Sequence, residues 1–521
     1  MKAQPISRNR WRGTTKALGV LVLLVTLMAL AVGAGMAAGN QAVPNAPDAP
    51  LGKSSIGDCV WNDANVDGNQ TGGEVGINGV TVFLYKDGVN GPKDGVLNET
   101  APLSTTLTAP GLTDATGTVC ETAGYYDFPV SGDETYWVSI PVTNTNPGGA
   151  LEDYVFTSGA TIGANPYQKY MPLNQLDFND ADFGYVKVDL RISINPPTAT
   201  NKVTDAHIFT VKVERKIGSG AWAPVSGATP SVSYSPVPST PGSSPVNCGP
   251  TNGSGECTVT INSSTPTVIT ANASVTTNVT VNIPDGLGGF TPTPVSRTRA
   301  TGDAKNTAAG GTGPATKTYV DLRILLSPLN ATNKVGDPHT FTATVQQNSG
   351  TGWGNVPNGT TVNFSLQNNT AGATFTAGTS CTTTGGQCTI TINGANAGNV
   401  DLQATSTVTV SGQSITRTTG TAANTNAGGT GNATKTYVDL RITLSPLNAT
   451  NKVGDPHTFT ATVQQNSGTG WGNVPNGTVV SFALLSNTAG ATFTAGTTCT
   501  TTGGQCTITI NGANAGSVNL Q

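Results

Sequence analysis

"TKTYVDLRI" occupies Thr316–Ile324, and the same nine letters return at Thr434–Ile442. The offset is 118 residues (434 − 316), and it carries well past the nine, since Leu326–Thr360 and Leu444–Thr478 match letter for letter. A looser copy opens at Val188 with "VDLRISINPPTATNKVTDAHIFTVKV". Self-similarity at this period means tandem modules, here three. Within one module the runs "HTFTATVQQ", "TTVNFSLQ", "CTITING" and "VDLQATSTVTV" alternate apolar and polar residues between Gly, Asn and Pro turns. A period of two marks half-buried strands, and strands at this spacing predict an antiparallel, immunoglobulin-like sandwich.

Composition extends the reading to the whole chain. At 521 residues it exceeds what one core organises. Charged residues make up 10% and aromatics 6%, with Gly, Thr, Asn, Ser and Val abundant, which favours short strands and tight turns over helices. The predicted class is all-β, tandem antiparallel β-sandwiches. The expected division is an export signal over 1–38, a linker over 39–52, a first sandwich over 53–186, and immunoglobulin-like repeats over 187–318, 319–437 and 438–521. The last copy stops at "GSVNLQ" where the second continues with "ATSTVTVSGQSITR", so it is expected to be incomplete and the chain part of a longer protein. The joints "ATGDAKNTAAGGTGPA" and "TGTAANTNAGGTGNA" read as flexible spacers or exposed loops.

The N-terminus places Lys2, Arg8, Arg10, Arg12 and Lys16 before "ALGVLVLLVTLMALAV" and the small residues "GAGMAAGN". Basic, apolar and small-residue regions in that order form an export signal, with an uncleaved membrane anchor as the alternative. After cleavage no membrane insertion is expected, and the chain is placed outside the cell, at the surface or in the wall. A net charge of −4 and a pI near 5.4 leave no basic face to gather phosphates, so nucleic acid is not an expected partner.

Eight cysteines in an exported chain read as disulfides. Cys381 and Cys388 flank "TTTGGQ", as do Cys499 and Cys506, and Cys248 and Cys257 bracket "GPTNGSGE" in the corresponding place. Each pair is expected to clasp a hairpin turn, contributing roughly 2–3 kcal/mol. Zinc is the rival, but its four sulfurs would have to come from separate repeats. Cys59 and Cys120 remain and can pair within the first sandwich.

"DANVDGNQTGGE", Asp63 to Glu74, has the spacing of an EF-hand loop, although its flanks are strand-like. Hard Ca²⁺ takes six to eight oxygens from alternate loop positions around a Gly bend. Asp63, Asn65 and Asp67 stand at positions 1, 3 and 5, with Gly68 at the bend. Asn69 offers its carbonyl at 7, Thr71 a hydroxyl at 9, and Glu74 a bidentate carboxylate at 12. The alternative is an ordinary Asx/Gly surface turn, which has no reason to place Glu twelfth. Calcium here would join strands rather than open a helix pair.

The segment from "SIGDCVWNDANVDGNQTGGEVGINGVTVFLY" through "TDATGTVCETAGYYDFPVSGDETYWVSI" to "DFNDADFGY" resembles the B-type repeat of serine–aspartate-repeat surface proteins, a prealbumin-like sandwich related to collagen-adhesin B modules. The resemblance covers about Lys53 to Tyr185. It implies calcium at Asp63, Asn65, Asp67, Asn69 and Glu74, a stalk-stiffening role, and a second site at Asp177, Asp180 and Asp182. The insertion Lys86–Leu112 and Cys59, where that family has an aromatic residue, depart from the pattern. The later modules are similar to invasin- and intimin-type immunoglobulin-like repeats, on "NKVGDPHTFTATV" and module length.

No catalytic constellation is present. His207, His339 and His457 each precede the "FT" strand of their module, too far apart in sequence to converge, and each reads as a strand-edge residue with a local hydrogen bond. Trp353 and Trp471, in "SGTGWGNVPNGT", read as buried plugs, with sugar stacking as the rival. Sequons stand at Asn69, Asn98, Asn262, Asn330, Asn368 and Asn448; a glycan on Asn69 would conflict with a folded calcium loop. The expected function is a non-enzymatic exported stalk or adhesin. Its expected partners are calcium and a molecule of the extracellular matrix, a host or neighbouring cell, or a glycan. The alternatives are a glycan- or protein-binding module and the accessory region of a larger secreted enzyme.

Overall fold

The computed structural model describes residues 54–521 except 72, 112–119, 121, 158–164, 172–176 and 286–287. The expected export signal and linker lie outside the described residues. Strand makes up 53% and helix 3%, so the all-β class holds. Two compact units are formed, one reaching to Leu190 and taking in Glu214–Ala223 and Thr277–Arg297, the other made of the remaining residues to Gln521.

In the first unit, Ser54–Asn62 pairs antiparallel with Tyr125–Val130 and parallel with the start of Phe183–Asn195. A second sheet sets Thr81–Lys86 between Ser104–Leu107 and Glu134–Ser139, with Tyr167–Met171 at its far edge. Alternation decides which side chains enter the core. In "YYDFPV" Tyr126, Phe128 and Val130 turn inward to meet Ile56, Val82, Leu84 and Val138, while on the other face Tyr125 packs on Cys59, Trp61 and Cys120, Asp127 is half-buried and Pro129 is exposed. The Lys86–Leu112 insertion is partly structural, because its Ser104–Leu107 is an edge strand of the second sheet. Cys59 and Cys120 form a disulfide buried beside Trp61, closing a sequence separation of 61 residues.

The second unit holds the second and third repeats and most of the first, and here successive sandwiches share strands. In Ala315–Ser327, residues 315–319 pair with Thr267–Ala271 of one sandwich, and 321–327 pair with residues 342–348 of the next. Ala433–Ser445 divides the same way. The joints are therefore not free spacers, although apart from Asn306 and Asn424 most of their residues are exposed, as the loop alternative expected. Each folds into a short helix, Ala304–Ala308 or Ala422–Asn426, inside its module. Fully buried Asn424 accepts the Ile324 N–H at 2.8 Å and donates to the Ile324 carbonyl at 3.0 Å, pairing with the strand as a neighbouring strand would. Asn306 does the same at Ile192, at 2.8 and 3.0 Å. Glycine is required at the close approach, since a Cβ on Gly429 would meet the Asn424 amide at 2.3 Å. Composition misled as to a spacer because Gly429 served a close approach rather than freedom.

The cysteine pairs form as expected but clasp something other than a flat hairpin. Cys381 stands on Ser380–Thr382, paired with Thr361–Gln367 in one sheet; Cys388 stands on Gln387–Asn393, paired with His339–Asn348 in the other. The bond therefore ties the two sheets of the sandwich together where the chain crosses between them. Cys499–Cys506 repeats this arrangement.

Candidate functional site

The Asp63–Glu74 loop leaves the strand Ser54–Asn62 and closes on itself. Asn62 N–H donates to the Val75 carbonyl at 2.9 Å, and Asp63 N–H to that of Tyr185 at 3.0 Å. Asp63, fully buried, accepts from Asp67 N–H at 3.2 Å and Gly68 N–H at 3.1 Å. Glu74, 7% exposed, accepts from Ala64 N–H at 2.9 Å and Thr71 N–H at 3.0 Å, so positions 1 and 12 bracket the loop. Asn65 Oδ1 accepts from Asp67 N–H at 3.0 Å, and Asp67 Oδ1 from Asn69 N–H at 2.7 Å. Gly68 takes φ +73°, the left-handed bend the pattern needs.

The donor set fits a hard cation. Two buried carboxylates face the loop with main-chain N–H groups as partners, and among the described residues no Lys or Arg lies at ion-pair distance from them. Among the described residues no three His, Cys, Asp or Glu side chains gather as a metal cage. An ion in the loop would therefore also draw on Asn65, Thr71 and main-chain oxygens.

The second acidic group is spread along a strand. Asp177 accepts from the Ser55 hydroxyl at 2.9 Å and Asp182 from Cys59 N–H at 3.0 Å, four residues apart on Ser54–Asn62. Burial, then the charges of Asp58 and Asp180, push the Asp182 carboxyl up to about 8, against the pull of the Cys59 N–H.

The three histidines do not make the expected hydrogen bond. Each lies edge-on to the Phe two residues on, His207–Phe209 at 4.7 Å, His339–Phe341 at 4.6 Å and His457–Phe459 at 4.7 Å, and each Nε2 is buried without a partner. Neither repeated tryptophan is a buried plug. Trp353 is half-buried and Trp471 is 38% exposed, and the Arg323 and Arg441 guanidiniums lie 4.3 Å over their rings. At the seam between the first two repeats, a cleft of about 460 Å³ is lined by Lys202, Asp205, Thr265, Arg417, Asp321 and Asn426, the Arg417–Asp321 ion pair forming part of its wall.

One repeated cluster was missed from the sequence. Lys317 and Lys435 are fully buried, and their Nζ atoms lie 2.6 Å from Asn201 Oδ1 and 2.9 Å from Asn333 Oδ1. The recurring "TKTY" and "TNKV" carried the signal, but alternation alone does not say that a lysine faces inward.

No protein-family profile and no curated protein matches the chain. Among solved structures it is similar to the D00–D0 domains of intimin (14% identity, 44% of this chain and 98% of that one, TM-score 0.22). It is also similar to the shaft pilin SpaA of Lactobacillus rhamnosus GG (13%, 51% and 96%, 0.20) and to an ICAM-5 D1–D4 fragment (10%, 64% and 73%, 0.23). At these scores the matches carry no argument of their own, and the all-β assignment rests on the strands described above.

Proposed function

We propose that this protein is an exported, non-enzymatic spacer of the cell surface, built from disulfide-clasped sandwiches and stiffened at its first sandwich by calcium. The shared strands carry the reading. Ala315–Ser327 and Ala433–Ser445 each close one sandwich and open the next, so no free linker separates those modules. Four disulfides suit an oxidising compartment, and the Cys381–Cys388 and Cys499–Cys506 clasps each join two sheets. No helix among the described residues is long and apolar enough to cross a membrane.

Asp63, Asn65, Asp67, Thr71 and Glu74, with the Asn69 carbonyl, would hold the ion. Bound calcium neutralises the buried carboxylates and stabilises the native loop by mass action. The serine–aspartate-repeat resemblance supports this role for the first sandwich. A sugar on Trp353 would find one ring face already covered by Arg323.

Thermal unfolding of the full chain with calcium and with chelator, beside Asp67→Ala, tests the calcium reading. A calcium-dependent rise in the first unit's midpoint that the variant abolishes supports it; superimposable curves reject it. Labelling of intact producing cells with antibodies to the repeats tests the location, and signal only after lysis would reject surface display.

A further inference from the structure

The Asp63–Glu74 loop folds back along the strand that it leaves. Cys59 stands on that strand, Ser54–Asn62, and is bonded to Cys120. Both cysteines are buried, at 0% and 1% exposure, and Trp61 and Tyr125 pack against the pair. From the loop comes Gln70, whose half-buried side chain donates Nε2–H to Cys59 Sγ at 3.1 Å and to Cys120 Sγ at 3.7 Å. Gln70 stands between Asn69 and Thr71, two of the candidate ligands, and is not itself one of them. Cys59 departs from the B-type pattern that the first sandwich resembles, so this contact is a feature of this chain.

We propose that the Asp63–Glu74 loop is a strap over the Cys59–Cys120 disulfide, closed by calcium and opened by its loss, so that calcium governs whether external thiols reduce the bond. This rests on the calcium reading of the loop.

A disulfide is reduced only when a thiolate reaches one of its sulfurs, so enclosure makes it inert. Gln70 has to leave both sulfurs before that approach opens, and the loop's carboxylates hold it in place. Asp63 accepts from Asp67 N–H and Gly68 N–H before Gln70, and Glu74 from Thr71 N–H after it. Without an ion, Asp63, Asp67 and Glu74 set three carboxylates within twelve residues, and among the described residues no Lys or Arg lies at ion-pair distance from them. Bound calcium removes that repulsion and adds its binding free energy to the closed loop alone.

In the exchange, one thiolate of an added dithiol attacks Sγ of Cys59 or Cys120. A mixed disulfide forms, and the other cysteine leaves as a thiolate that takes up a proton. The second thiol of the reagent then displaces the cysteine still bound. The disulfide gains two electrons and two protons, and the dithiol is oxidised to its own disulfide.

The repeats supply an internal reference. Cys381–Cys388 and Cys499–Cys506 belong to the second unit and the loop to the first, so calcium should leave their reduction unchanged.

The test follows reduction of the folded full chain by dithiothreitol, with freed thiols trapped by iodoacetamide and each cysteine read by mass spectrometry after digestion. Thermal midpoints are recorded on the same samples. With calcium about a hundredfold above its half-saturating concentration, labelling of Cys59 and Cys120 should slow by about a hundredfold relative to chelator, while the reference clasps keep their rates. Asp67→Ala should label fast in both conditions. Gln70→Ala, which leaves the oxygen set whole, should keep the calcium-dependent midpoint and yet label faster than the parent chain in calcium. A midpoint raised by calcium with equal labelling rates overturns the strap and leaves the calcium reading standing. No effect of calcium on midpoint or labelling overturns both. Gln70→Ala labelling at the parent's rate in calcium overturns the strap as well, since burial would then protect the bond without it.

Discussion

The second and third repeats are nearly the same sequence in two environments. Leu322 and Ile324 are fully buried, whereas their counterparts Leu440 and Ile442 are 62% and 53% exposed. The strand Asn330–Lys334 pairs with residues 434–438, while the identical letters at 448–452 form no strand. The reason is what covers them. The second copy packs these positions under Val400, Leu402, Ile415, Ala433 and Tyr437, and the last three come from residues whose counterparts are not among the 521. Intrinsic strand preference is equal in both copies; burial and pairing differ, which shows β-structure to be decided by neighbours more than by the segment itself.

The sharpest way to break this comparison is to extend the chain past Gln521 with a further copy of residues 404–437. Burying Leu440 and Ile442 should stabilise the third copy by about 1.5–3 kcal/mol for each side chain. Hydrogen exchange reads it directly, since Thr443 distinguishes peptides of the third copy from those bearing Leu325. Unchanged exchange would show that the exposed strand has another cause.

Truncation sharpens the same contrast. Leu322→Ala or Ile324→Ala should cost about 2–5 kcal/mol in denaturant unfolding of the second copy, and Leu440→Ala or Ile442→Ala within ~0.5 kcal/mol in the third. Equal losses would contradict the difference in burial.

A smaller effect follows from the docked helix. Asn424→Ala leaves the Ile324 N–H and carbonyl without partners, for about 1–3 kcal/mol, and should speed exchange at Ile324 with no change at Ile442.

The smallest depends on pH. Burial, then the Lys435 charge, holds the His339 ring below its ordinary value. Below an unfolded value near 6.5 the unfolded chain takes up a proton that the folded one resists, so stability falls as pH falls through that window. His339→Gln should flatten the acid limb of the second copy's unfolding profile by about 1 kcal/mol or less. An unchanged acid limb would show that His339 contributes nothing to it.

Much of the architecture was legible. Period-two alternation marked the strands, the exact repeat marked the modules, and cysteine spacing marked three clasps. The candidate loop was legible too, because six oxygen-bearing residues recur at a fixed spacing over twelve positions. Other features were hidden because they depend on partners distant in sequence. Asn424 meets Ile324 across 100 residues, and Lys435 meets Asn333 across 102. Cys381 and Cys388 are close in the chain, yet only the pairing of their strands shows that the bond joins two sheets.

The sequence by itself determined that the chain is all-β, repeats its modules, and carries an oxygen-rich loop and paired cysteines, because local periodicity and spacing record which side chains can share a face. Tertiary structure alone decided that one strand serves two sandwiches, that each Gly-rich joint docks a short helix through one buried asparagine, that lysines lie beside asparagines, and that the same letters are buried in one copy and exposed in the next. These outcomes depend on which surfaces meet, and an identical segment has no preference until a neighbour removes it from water.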